Sequence, residues 1–219
     1  MSLQTIINNA TYIDFKQAKL AGQSISRSGR ILTSEVVSAE PFRMDVGMHE
    51  GLTYSTNRGL AQSINSLDIT VEEEINIGSS NPGLSYITAY QGDSDGIGSI
   101  TCVSGNVKQI LVNASNAGSG TFLFKKGDYI QPAGTYRYPY IVTADVAHTT
   151  SSAVVVPIHR NFIPQDGYTV SGSALSVGVD CTWTVKMVKK PTYSVLPGDR
   201  LVFNGNKFDI VEIIRKEDG

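Results

Sequence analysis

The sequence predicts a mainly β fold: antiparallel strands in a barrel or sandwich, one docked α-helix, and chain enough for two β-subdomains. Apolar and polar residues alternate with period two in many short runs, the pattern of strands with one buried face. Turn-forming pairs such as Gly127-Asp128 and Asn204-Gly205 separate those runs, in a chain holding 21 glycines and only 17% charged residues. One stretch alone carries a convincing helical period. The 219 residues divide into an N-terminal arm over 1–33, a β-domain with the helix over 34–105, and a second β-rich region over 106–219.

Residues 1–33 are polar and weakly patterned, so they are expected to be an arm or loose strands that order on a neighbouring subunit. Beyond Ser34, Phe42, Met44, Val46 and Met48 alternate with Arg43, Asp45, Gly47 and His49, which predicts a half-buried strand. Leu60, Ile64 and Leu67 fall at i, i+4 and i+7 and predict a helix over 57–67 with Thr56 as N-cap. Its narrow stripe requires a sheet to dock on. Ile69, Val71, Ile75 and Ile77 predict a strand broken at Glu73, whose acidic run 72–74 faces water or the interior of an assembly. Short strands are expected over 84–90, 100–103 and 107–112, the last two joined by a turn at Ser104-Gly105-Asn106.

A three-strand meander follows, with a short run at Tyr129-Ile130, a long strand over 136–146 and a return over 153–158. Period two places the rings of Tyr136, Tyr138 and Tyr140 on one face of the long strand. Tyr168 and Val170 begin another strand. Cys181, Trp183, Val185 and Met187 alternate with polar residues, and Trp183 is read as a core anchor. The run from Leu196 to Phe203 repeats the Gly-Asp-apolar pattern of 125–130, and Phe208, Ile210, Glu212 and Ile214 form the last strand.

Composition and motifs narrow the function. Eighteen Lys plus Arg against 20 Asp plus Glu argue against a partner that is nucleic-acid backbone or anionic lipid. No window reaches the roughly 18 apolar residues of a membrane span, and the first residues lack a signal peptide's basic and apolar regions, so a soluble, cytoplasmically made chain is expected. Cys102 and Cys181 have no CxxC partner and are expected to be buried thiols. His49, His148 and His159 stand apart, and the sequons at Asn9 and Asn113 are read as coincidence. In QGDSDGIG, Asp93 and Asp95 begin like a calcium loop, but Ile97 and Ser104 occupy positions where ligands would follow. The same pair is the best candidate for the carboxylates of a glycosidase, although a Gly-rich turn would leave them solvated. No catalytic, cofactor-binding or metal-binding residue is assigned, and no enzyme is expected.

The order of short motifs carries a resemblance. SRSGR (26–30), a strand through Pro41-Phe42 and a helix ending at Leu67 are followed by VNASNAGSG (112–120), KKGDYIQ (125–131), YIVTADV (140–146), AVVVPIHR (153–160) and IPQDGYTV (163–170). This series resembles tail proteins of tailed bacteriophages and prophages, in particular distal-tail or baseplate-hub-like proteins. The likeness covers 26–170; Asn113-Ala114-Ser115 replaces the family's N-G-A, Pro157-Ile158-His159 departs before the Arg corner, and 189–219 has no counterpart. The resemblance implies a structural virion protein in the tail or baseplate, forming a homo-oligomeric ring, most simply a hexamer. Such a ring joins the tail tube protein to baseplate or hub proteins without a cofactor. The alternative is a carbohydrate-binding host-adsorption module using the Tyr136/Tyr138/Tyr140 face.

Overall fold

The computed structural model describes residues 3–17, 21–25, 31–35, 40–79, 81–134, 137–164, 171–205 and 207–214. It is mainly β and antiparallel, with two α-helices. The chain opens with α1 (Leu3–Ile7), β1 (Ala10–Gln17), β2 (Ala21–Ile25), β3 (Ile31–Glu35) and β4 (Phe42–Met48). β1 pairs with β4, while β2 and β3 form a separate two-stranded ribbon. Next come β5 (Leu52–Thr53), α2 (Tyr54–Ser66) and β6 (Glu73–Asn76).

A second group of strands then intervenes: β7 (Thr101–Asn106), β8 (Gln109–Asn113), β9 (Phe122–Phe124), β10 (Tyr129–Pro132), β11 (Tyr140–Ile141), β12 (Val146–Ala147), β13 (Val154–Pro157) and β14 (Ser173–Val177). The chain closes with β15 (Thr182–Met187), β16 (Thr192–Leu196), β17 (Arg200–Asn204) and β18 (Lys207–Glu212).

Two apolar cores result. The first lies on a five-stranded sheet of order β1-β4-β18-β15-β6 and gathers Phe42, Met44, Ile75, Trp183 and Ile210 with residues of both helices and of the small β16-β17-β5 sheet. The second fills a six-stranded sheet of order β11-β10-β14-β7-β8-β13. That sheet curls until its edges meet: Val142 bridges Ile158, and the bonds from Thr143 N–H to Pro157 O and from His159 N–H to Ile141 O are both 3.0 Å. Asn76 of β6 and Thr182 of β15 are direct partners, so the second core is inserted between two neighbouring strands of the first. Among the described residues, no helix is long and apolar enough to cross a membrane.

Several sequence expectations need correction. Residues 3–17 are not an arm, because Leu3, Ile6, Ile7, Ala10 and Ile13 are buried in the first core. Their signal is weak because α1 is a single short turn and β1 is an edge strand whose other face is charged. On that face, Lys16 bonds Asp45 of β4, which also takes a bond from Lys207 of β18. The expected boundary between 105 and 106 falls within the β7–β8 hairpin, whose turn lies at Val107-Lys108 rather than 104–106. Residues 84–90 hold turns and a 3-10 segment, Ser85–Ile87, instead of a strand. Ile69 and Val71 precede β6 and are exposed. The long strand over 136–146 is two short pieces, β11 and β12, that pair with different strands. Tyr136, Tyr168 and Val170 lie outside the described residues.

The helix is where the spacing puts it, with Leu60, Ile64 and Leu67 buried. A first turn from Tyr54 precedes it across a kink at Asn57, whose φ of −109° and ψ of 19° are not helical, and that turn is held from across the chain: Ser55 N–H donates to Asp199 Oδ1 at 2.8 Å and Tyr54 N–H to Asp199 O at 3.0 Å. Asp199 thus caps this first turn.

Candidate functional site

The sequence candidates take structural roles. Asp93 Oδ1 accepts the backbone N–H groups of Thr121 and Phe122 at 2.7 and 2.6 Å, which hold its carboxyl below the ordinary range, Phe122 contributing most. Asp95 accepts the Ser119 hydroxyl at 2.5 Å. The two carboxylates pin one loop, 119–122, to another. Tyr138 and Tyr140 are 3% and 1% exposed, so their rings are unavailable to a glycan. Cys102 and Cys181 are free, buried thiols, and burial pushes Cys102 up to about 12 and Cys181 higher still. Among the described residues no cluster of His, Cys, Asp and Glu could hold a metal ion.

The repeated Gly-Asp pair has one use in both places. Gly127 and Gly198 take φ values of +103° and +82°, a region that favours glycine, and each turn presents an aspartate to remote backbone. Asp199 caps α2. Asp128 is wholly buried and accepts Lys125 N–H and Gln91 N–H, both at 2.7 Å; burial outweighs those bonds and raises its carboxyl.

The densest polar constellation joins the two cores. Arg160, just beyond β13, and Glu212, at the end of β18, both have side chains 0% exposed. Their contact is bidentate: Nη1 to Oε2 at 2.5 Å and Nη2 to Oε1 at 2.7 Å. The guanidinium also donates to Glu40 O and Pro139 O, each at 2.8 Å, and Glu212 Oε2 accepts Phe42 N–H at 2.9 Å. Phe42 and Tyr140 flank the cation, with ring centroids 5.1 and 5.2 Å from Cζ. One arginine therefore ties the barrel to β4, β18 and the segment before β4. Attraction to Glu212 raises the guanidinium's pKa despite the opposing cost of burial.

His159 stands beside this pair. Its Nδ1 accepts Ile141 N–H at 2.9 Å, its ring lies 5.1 Å from that of Phe42, and its buried Nε2 has no partner. Burial first, and the Arg160 charge second, lower its pKa to about 3, so it is neutral at ordinary pH. Nearby, Gln131 of β10 donates to Thr182 O at 2.5 Å and accepts Thr182 N–H at 3.0 Å, a second clasp between the cores.

This arrangement can orient, and it offers no chemistry. The carboxylate and the two Nη groups of the guanidinium are sealed from solvent and bind each other and backbone, while the buried Nε of Arg160 has no partner. Sequence reasoning assigned no role to either, although Glu212 on an otherwise apolar strand face (Phe208, Ile210, Ile214) signalled a buried partner.

No protein-family model matches the chain, and no curated protein matches it significantly.

Proposed function

We propose that this protein is a structural component of a bacteriophage tail, assembled as a ring at the distal end of the tail tube. There it joins the tube to baseplate, hub or host-recognition proteins. The reading rests on the motif series between 26 and 170. One structural observation supports it most: the buried ionisable groups Asp128, Arg160 and Glu212 bind backbone or each other, as in a part whose task is shape. The β2–β3 ribbon, which pairs with no third described strand, adds an element suited to assembly.

The carbohydrate-binding alternative draws no support from Tyr138 or Tyr140, whose rings are inside. The test is co-sedimentation of the purified protein with tail-tube protein, followed by electron microscopy. Closed rings seated on tube ends are expected. A protein that stays monomeric at high concentration, ignores tube protein and binds host-wall polysaccharide would overturn the reading in favour of the adsorption module.

A further inference from the structure

We infer that the outer edge of β16 receives the β2–β3 ribbon of a second copy of this chain, which extends the β16-β17-β5 sheet across a subunit contact. This deepens the ring reading above and rests on it. An edge strand offers unpaired N–H and C=O groups, and proteins normally protect such edges with charge, proline, bulges or cover. Elsewhere this molecule does so. At β6, the side-chain amide of Gln4 imitates a strand, accepting Asn76 N–H at 2.6 Å and donating to Asn76 O at 2.7 Å. The edges β11 and β13 meet each other in the barrel. At β1, the edge carries Asp14 and Lys16 and a register shift between Ala10 and Tyr12.

β16 lacks such a device within the strand, although Pro191 and Pro197 bracket it and its Tyr193 hydroxyl accepts a bond from Asn65 of α2. Its five residues, Thr192–Leu196, hold no charge and no proline, and their register with β17 is unbroken. Val195 and Leu196 are 50% and 42% exposed. It is an outer strand of the β16-β17-β5 sheet with an unpaired edge among the described residues.

The occupant is indicated by the ribbon. β2 and β3 also have five residues each, pair in unbroken register, and hydrogen-bond to no third strand among the described residues. A lone two-stranded ribbon is marginal in water, so a third strand would stabilise it. Its sequences AGQSI and ILTSE carry one charge, Glu35, so contact with uncharged β16 opposes no like charges. Among the described residues the ribbon pairs with no strand of its own chain, and the proposal places it on the edge of another copy. Donor and acceptor surfaces differ, so the contact is head-to-tail, and such contacts close into rings when their rotation allows.

Three full-length proteins test this by analytical ultracentrifugation: wild type, the edge variant Val195→Lys/Leu196→Lys, and the ribbon variant Ser24→Pro/Leu32→Pro. Thermal melts establish that each variant is folded. Each variant alone should self-associate at least about tenfold more weakly than wild type. Mixed together they should form a one-to-one complex, since one retains the ribbon and the other the edge. A contact between like surfaces would give no such complement, and its absence overturns the inference. Oligomers that survive both variants would also overturn it while leaving the ring reading intact; a wild type that never associates removes both.

Discussion

At the scale of single residues, Arg160 is the contact on which the joint between the cores depends. Arg160→Met strands the Glu212 carboxylate in a dry site, which should cost ~3–5 kcal/mol in denaturant unfolding. Adding Glu212→Gln should recover part of this, because the stranded charge is gone and Phe42 N–H keeps an acceptor. A change under about 0.5 kcal/mol for the single variant would mean that the pair is not buried as described. His159 sets a pH dependence. Its pKa falls from 6.5 to about 3 on folding, so between those values the unfolded chain binds more protons and stability rises with pH. Stability from this residue is complete above 6.5 and is lost progressively towards 3, with a slope of at most about 1.4 kcal/mol per pH unit. In His159→Gln, which keeps an acceptor for Ile141 N–H, that slope should disappear from unfolding curves across the window. Neither residue's role was legible beforehand: ion-pair partners 52 positions apart leave no local pattern, although the position of Glu212 on an apolar face was a visible anomaly.

At the scale of elements, α2 was legible because its burial repeats with a local period. The turn before its kink at Asn57 was not, since the capping Asp199 lies 144 residues away from Ser55 in sequence. Ile64 is 1% exposed, so Ile64→Ala should cost ~2–5 kcal/mol by chemical denaturation. Asp199→Ala should loosen the first turn of the helix, visible as faster amide exchange there. The Ser55 hydroxyl, then Ser55 N–H, depress the Asp199 carboxyl below its ordinary 3.8. Its contribution is therefore present above that value and is lost as pH falls through the lower, folded one. The strands misread, at 84–90 and 136–146, were runs in which loop packing and strand pairing look alike in sequence. Tyr138 and Tyr140, placed by period two on one strand face, are buried in the barrel interior.

At the scale of the whole molecule, the mainly β class was legible from alternation and turns, whereas the discontinuous first core was not, because its halves are separated by the inserted barrel. Removing residues 1–17 should abolish cooperative unfolding altogether, since it deletes α1 and β1 from that core. A truncated protein with a sharp calorimetric transition would contradict this placement. The intact chain should melt in one transition, given the two clasps between cores. The insertion point has a mechanical consequence. β1 and β18 flank β4 and both run antiparallel to it, with Ala10 opposite Met48 and Val211 opposite Arg43. Tension between the chain ends would therefore pull β1 and β18 lengthwise past β4, loading crosswise hydrogen bonds together in shear rather than one at a time. The barrel, which leaves and re-enters at the neighbouring residues Asn76 and Thr182, hangs beside this line of force. A subunit built this way could carry strain along one sheet while the geometry of its barrel stays unchanged.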